Sequence, residues 1–331
     1  MQEHGNGAET AARGRLREPD SARGDERPAA HAADAAGMLI IHNPIAGRRR
    51  GRFFAQVTAA LAALGVTPRI AATGARGDAQ RIARAASAST IAVAGGDGTI
   101  NEAINGMAAA HAGARLAIIP LGTANVLAAE LGLPRAPGAI ARIAAGGAVR
   151  AIHLGVVTAS GSRRRFAMFA GVGLDAHVVA NLSLPLKRAT GKLGAGKFAY
   201  VWQALVEWLR LEPRRYRVTA DGAAYDCAAA IVAKGHYYAG RYVAAPQASL
   251  DRDSFELVLF ERGGRWAVLR YALALGLGRL AKAKGVRIVR ARAIAIEGEA
   301  SEPIHADGDI VGTLPARFAI APERLAVLVS A

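Results

Sequence analysis

Aromatic residues make up only 5% of the 331-residue chain, and there is one cysteine, Cys227. The lone cysteine excludes an intramolecular disulfide framework and a cysteine-rich zinc site, and it suits a reducing compartment. The shortage of aromatics argues against a binder that stacks single-stranded bases. Long apolar runs are missing as well. The most apolar stretch, 266–280, is interrupted by Arg270 and Arg279, short of the ~18 uninterrupted apolar residues of a spanning helix. The N-terminus lacks the apolar h-region of a secretory signal. Acidic residues are also few, with 26 Asp+Glu against 42 Lys+Arg and a formal charge of +16.

That imbalance points to an anionic partner: nucleic acid, anionic lipid or a phosphorylated substrate. It does not come from the N-terminal segment. Residues 1–37 hold five Arg and seven acids, and no strand or helix periodicity, so they read as a disordered tail. Met38 opens the first strand-like run, which makes it an alternative start. The other 294 residues carry 37 basic and 19 acidic side chains. With 52% apolar residues, the chain is rich enough to bury a sizeable core.

From residue 38 short apolar runs alternate with amphipathic stretches. Strands are expected at 38–41, 66–71, 90–94 and 115–119, and helices at 52–64, 78–86, 100–110 and 125–131. This alternation predicts a doubly wound parallel sheet in an α/β domain over 38–148. Beyond residue 148 the pattern turns to β-branched or alternating runs separated by Gly, Asp and Pro, interrupted by helical stretches at 197–211 and 266–284. That predicts a mostly antiparallel β-sandwich over 149–315, with 316–331 able to pack back on the first domain.

Three loops carry the chemistry. The sharpest is Gly95-Gly96-Asp97-Gly98-Thr99-Ile100-Asn101-Glu102, between an apolar strand and a helix. Glycines allow close backbone approach to an anion, and N–H groups at a helix start point at phosphate. Asp97 would repel phosphate unless a Mg²⁺ or its waters intervene, so the residue types suggest a metal–nucleotide. The bland reading is a glycine turn with a helix cap. Asn43-Pro44-Ile45-Ala46-Gly47 and Pro120-Leu121-Gly122-Thr123-Ala124-Asn125 follow two other strands, and so fall on the same sheet edge. None of the three is a Walker A or a Rossmann fingerprint.

In this order and spacing the loops resemble the diacylglycerol kinase catalytic domain, whose superfamily includes sphingosine and ceramide kinases and bacterial soluble lipid kinases. GGDGT alone is shared with NAD kinases and, more loosely, phosphofructokinases. The resemblance continues through residues 171–175, 197–200, 245–248 and 307–309, about 38–331 in all. It implies an NAD-kinase-like α/β domain and a β-sandwich with the active site in the cleft between them. The implied activity is an ATP- and Mg²⁺-dependent transfer of phosphate to a lipid hydroxyl. It implies nucleotide contacts at Asn43, Pro44, Gly47, Thr73, Gly95, Gly96, Asp97, Gly98, Thr99, Asn101 and Thr123. Arg48 and Lys197, or Arg49 or Arg50, are the candidate phosphate-neutralising cations. Asp97 orients Mg²⁺ through water. The family's D-G-E general base corresponds here to Asp309 of Asp307-Gly308-Asp309, although Asp-Gly is also a hairpin signal.

The sequence departs from the family at a structural Mg²⁺ site. The aspartate expected after the third loop's asparagine is Val126, the next is His153, and the turn Asp251-Arg252-Asp253 puts Arg252 on an expected ligand. A guanidinium can replace a metal's charge, so Arg252 is expected to substitute for the ion, with Asp97, Asp251 or Asp253 as partners. An exposed turn with a solvated arginine is the plain alternative.

The lipid end is expected around 182–186 and the helix 197–211, although apolar helical spacing is more often core. From Arg262 to Arg292 there are nine basic residues and no acid. A basic amphipathic element of this kind fits a peripheral attachment to an anionic bilayer, at the inner face of the membrane from the cytoplasm; a solvated basic face is the alternative. Three rival readings are an NAD kinase, a catalytically weak lipid-binding regulator and a nucleic-acid binder. The last has no helix-turn-helix, zinc or RNP-like pattern behind it. Diacylglycerol, ceramide, a sphingoid base, phosphatidylglycerol and a prenol all remain as acceptors.

Overall fold

A computed structural model describes residues 37–46, 51–110, 113–173, 176–177, 179–180 and 214–331. Four parallel strands open the fold: β1 (Met38–His42), β2 (Arg69–Ala72), β3 (Thr90–Gly95) and β4 (Arg115–Pro120), in the order β2-β1-β3-β4. The first two helices are α1 (Gly51–Ala63) and α2 (Asp78–Ala85). Then come α3 (Asp97–Ala110), the short α4 (Val126–Glu130) and α5 (Pro137–Gly146). Helix α1 packs on α5 and α2 packs on α3. Every residue of β3 is buried, as expected of a central strand covered on both faces.

Two elements differ from the sequence reading here. Helix α3 starts at Asp97 and β3 runs to Gly95, so the glycine loop is tighter than expected. Helix α5 has no counterpart among the expected elements, because its Ala/Gly-rich turns carry little apolar contrast. Pro137 at its first position marks its start.

The remaining strands are antiparallel to their neighbours, apart from one parallel contact described below. They are β5 (Ala148–Ala159), β6 (Ser162–Phe166), β7 (Phe169–Val172), β8 (Tyr216–Ala220), β9 (Ala223–Cys227) and β10 (Ala229–Ala233). Next come β11 (Tyr237–Tyr238), β12 (Tyr242–Val243), β13 (Phe255–Phe260), β14 (Val286–Ala291) and β15 (Ala293–Glu297). The last are β16 (Pro303–Ala306), β17 (Asp309–Thr313) and β18 (Ala316–Val329). Helix α6 (Arg265–Gly276) lies between β13 and β14.

Strand β18 pairs parallel with β4 and antiparallel with β5 and β15. One ten-stranded sheet therefore continues from the α/β half into the sandwich. A six-stranded sheet, β14-β13-β10-β7-β16-β17, faces it. Between them lies a core that includes Phe166, Tyr216, Val232, Phe255, Ile294 and Phe318. The fold is thus a doubly wound α/β layer joined to an antiparallel sandwich, as the alternation of elements predicted. The stretches 165–171 and 225–233 are each divided between two strands.

Candidate active site

Parallel strands end their carboxyl termini on one edge, and ligands of such sheets bind there. All the glycine loops converge on that edge and are tied to one another. Asn43 Nδ2 donates to Thr99 Oγ1 (2.9 Å), while its Oδ1 accepts from Ile45 N and Ala46 N. Asn125, in the left-handed region at φ 48°, accepts from Gly122 N at 2.9 Å and donates to Gly122 O at 2.6 Å. Asn is one of the few residues that tolerate that backbone.

Two glycines are needed for packing here, Gly122 between two loops and Gly95 within its own. A Cβ on Gly122 would lie 2.5 Å from Gly96 Cα, and one on Gly95 would lie 2.6 Å from Thr99 Cβ. Gly98 meets nothing within 4 Å and is exposed. Gly98 is thus the open position of the loop, while Gly95 and Gly122 serve packing. The first intrahelical bond of α3 runs from Ile100 N to Gly96 O. The N–H groups before it are left over by the helix, as at any helix start.

Asp97 joins two of the loops. Its Oδ2 accepts from Asn125 N at 2.9 Å and its Oδ1 from Val126 N at 2.6 Å. Burial pushes its carboxyl above the ordinary value, and these backbone donors pull the other way. Val126, where the resemblance implies an aspartate, is buried and contributes its N–H to this bond.

Asp307 and Gly308 are the two central residues of the β16–β17 turn, both at positive φ (46° and 82°), as a type I′ hairpin requires. The hairpin reading of Asp-Gly is therefore met by this pair, and Asp309 opens β17. The Asp307 carboxylate accepts from Ala167, Met168 and Phe169 N–H and from Asn101 Nδ2 (2.7–3.1 Å). It thereby locks the turn against the first turn of α3.

Asp309 faces two guanidinium groups that the sequence did not single out. Arg76 donates to its Oδ1 at 2.8 Å and Arg164 to its Oδ2 at 3.4 Å. Arg164 also donates to Asn101 Oδ1 at 2.8 Å, so one side chain spans α3 and the carboxylate. Arg76 stands on the loop that follows β2. That loop begins at buried Thr73 and is shaped by Asp78, which accepts from Gly74 N and Ala75 N at 2.9 Å each. Those N–H groups, with Arg81, hold the Asp78 carboxyl below its usual range. Asp78, three residues before an apolar helical face, was the available signal for this loop; nothing local marks Arg76.

Beside the third loop opens a polar cavity of ≈ 580 Å³ that includes Arg52, Thr123, Asn125, Arg135 and Arg241, within the size range of small-molecule sites. Pro44 lies in the turn after β1. Gly47, Arg48, Arg49, Arg50 and Lys197 lie outside the described residues, as do the expected lipid segments 182–186 and 197–211. A second cavity, ≈ 180 Å³ and mostly apolar, lies under α6 and includes Val172, Ile231, Phe260, Val268, Tyr271 and Leu275. Tyr238 in its wall packs on Phe169, ring centroids 4.7 Å apart, and Phe169 N donates to Asp307.

Arg252 does not do what the sequence suggested. Its guanidinium donates to Gln247 O at 3.0 Å and is exposed. Asp251 pairs with Arg150 through two hydrogen bonds (2.9 and 2.7 Å), Asp253 pairs with Arg292, and Asp97 is on the other loops. The turn's main-chain carbonyls are turned inward instead, onto Lys234. This donor set does not fit a divalent cation: Mg²⁺ needs about six oxygens near 2.1 Å, and here an ammonium and two arginines hold the carbonyls and carboxylates.

Residues 37–157 match the diacylglycerol kinase catalytic domain, and residues 170–329 match the YegS C-terminal NAD kinase beta sandwich-like domain. A Pseudomonas aeruginosa protein named "Probable lipid kinase YegS-like" is 31% identical over 302 residues, 88% of this chain and 93% of that protein. A Bacillus subtilis diacylglycerol kinase is 28% identical over 286 residues, covering 84% of this chain and 91% of its own length. A solved Bacillus anthracis chain described as a diacylglycerol kinase superposes with a TM-score of 0.63 at 21% identity, over 89% of this chain and 97% of that one. At that identity the superposition speaks to the fold.

Proposed function

The chain belongs to the diacylglycerol kinase catalytic-domain family of lipid kinases, and from this premise we propose that it transfers the γ-phosphoryl of ATP to a hydroxyl of a membrane lipid. The observation that carries the reading is the link between α3 and the Asp-Gly-Asp hairpin: Asn101 donates to Asp307, and Arg164 bridges Asn101 and Asp309.

In phosphoryl transfer the protein mainly positions groups and neutralises charge. The leftover N–H groups of α3 at Gly98 and Thr99 cradle phosphate oxygens. Arg52, Arg135 and Arg241 surround the polar cavity where the nucleotide would extend. Asp97, held by the backbone N–H groups of Asn125 and Val126, would hold the nucleotide's Mg²⁺ through water. Such an ion, bound with ATP, would supply charge neutralisation.

Asp309 accepts the proton of the lipid hydroxyl as its oxygen bonds to the γ-phosphorus and the bond to the ADP oxygen breaks. Arg76 and Arg164 are cations matched to the transferring group: each leaves the carboxylate a freer base when a phosphate oxygen takes its place.

The apolar cavity under α6 supports a hydrocarbon tail reaching from Asp309 past Phe169 and Tyr238. Helix α6 also exposes Trp266, Leu269, Leu273 and Leu277 on one stripe, with Trp266 81% and Leu277 73% accessible. Beside the basic residues of 262–292 this face suits an anionic membrane surface. Among the described residues no helix is long and apolar enough to cross a membrane.

The test is a labelled-ATP assay on a panel of lipids in mixed micelles, with NAD⁺ as a separate acceptor. Label is expected in a lipid phosphate. Label in NADP⁺, or release of inorganic phosphate without any acceptor, would overturn the reading.

A further inference from the structure

Lys234 directly follows β10 and is completely buried. Burying a lone ammonium is costly unless each of its donors is met. An ammonium has three N–H donors, and three main-chain carbonyls converge on this one. Lys234 Nζ lies 3.1 Å from Ser249 O, 2.5 Å from Arg252 O and 3.2 Å from Ser254 O. The turn 249–254 is thus wrapped around a cation that the chain itself supplies. His153, where the family resemblance places a metal-binding aspartate, binds the same turn through its backbone N–H to Leu250 O. An imidazole carries no negative charge in either protonation state, so it adds no anion that would call for a metal.

The neighbourhood of Lys234 reaches the active site from two directions. Its N–H and that of Gly235 donate to Met168 O, and Met168 N donates to Asp307. Two residues on, His236 N and Tyr237 N donate to Glu130 of α4, the helix whose first N–H groups Asp97 holds. Whatever sits in the turn therefore braces both the reaction hairpin and the nucleotide-side loops.

We propose that Lys234 is a resident cation site: its ammonium fills the turn to which the family resemblance gives a structural Mg²⁺, so the scaffold of this chain needs no bound divalent ion. The requirement for Mg²⁺ is then confined to the nucleotide. The inference concerns the scaffold and stands whichever acceptor the enzyme uses.

The experiment measures bound metal and melting temperature on the purified full-length chain, without nucleotide. Elemental analysis is expected to find less than about 0.1 Mg²⁺ or Ca²⁺ per chain, and EDTA to shift Tm by less than about 1 °C, since an ion bound to the native state would add stability by mass action. Lys234→Met, close in shape but without donors, leaves three buried carbonyls unpaired. It is expected to lower Tm by about 5–10 °C, with no recovery in excess Mg²⁺. A stoichiometric divalent ion with an EDTA-sensitive Tm in the wild type would overturn the proposal. So would a Lys234→Met chain that melts with the wild type. The two wild-type measurements decide the question even if the variant does not fold.

Discussion

Two walls of the molecule, the sheet edge with the glycine loops and the outer face of the six-stranded sheet, are held by different means. On the sheet-edge side almost every contact is directional: Asn43 to Thr99, Asp97 to Asn125 and Val126, and Asn101 to Asp307. Gly95 and Gly122 permit approaches there that no other residue would. On the outer face of the six-stranded sheet, α6 rests through Tyr271 and neighbouring apolar side chains over a mostly apolar cavity, and it leaves an apolar stripe in solvent. The contrast follows from what each wall is proposed to hold. A polyphosphate needs donors at fixed positions, and small displacements lose charge-assisted bonds. A hydrocarbon tail asks only for apolar area, which has no preferred direction.

Substitutions on the two walls should therefore fail in different ways. The largest effect is expected at Asp309→Asn, which keeps the shape and removes the proton acceptor. Turnover should fall about 10³-fold, ~4 kcal/mol in barrier, with circular dichroism and Tm little changed. Near-normal turnover in this variant would remove Asp309 from the chemistry.

Two residues away, Asp307→Ala should act on stability instead. Three backbone N–H groups and an amide lose one acceptor, which should cost about 3 kcal/mol in urea unfolding. If Asp307→Ala unfolded at the wild-type midpoint, the hairpin lock would not be what holds the wall.

On the other wall, Trp266→Ser with Leu273→Ser should leave stability and micellar turnover nearly unchanged. Affinity for anionic vesicles should weaken about tenfold, ~1.4 kcal/mol, in co-sedimentation. Binding that ignores both the substitutions and salt would point to a solvated face.

A pH dependence is also expected at Lys234. Burial lowers its ammonium from the ordinary 10.5 to about 8, against the pull of Asp253 and Asp251. In that window the unfolded chain holds the proton that the folded chain releases, so stability rises with pH through this group. The difference between the wild-type and Lys234→Met profiles of Tm against pH should therefore grow between about pH 8 and 10 in favour of the wild type. Cys227, whose thiol burial pushes up to about 12, works in the opposite sense above pH 9 and cancels in the difference.

Legibility in the sequence followed the range of each interaction. The strands and helices of 38–131 were readable because apolar periodicity is set within a few residues. The β16–β17 turn was marked by Asp-Gly, although the same letters left open whether Asp307 or Asp309 mattered to the fold. Strands β11, β12, β16 and β17 are short and none alternates in burial over its length, so no period declares them. Arg252 attracted attention by standing between two aspartates, yet both aspartates found arginines from elsewhere, Arg150 and Arg292.

The sequence by itself determined the alternation that becomes a doubly wound sheet, the glycine loops at its strand ends, the Asp-Gly hairpin and the acid-free basic run. Each of these is local: a period, a backbone conformation or a composition confined to one stretch. Only the tertiary structure decided which cation fills the turn 249–254 and which guanidinium groups face Asp309. Arg76 and Asp309 are 233 residues apart, and Lys234 reaches carbonyls 15 to 20 residues ahead of it. Such pairs exist because packing brings the strands together and then requires every buried donor and charge to find a partner. That condition applies to the assembled core, and no window of the sequence displays it.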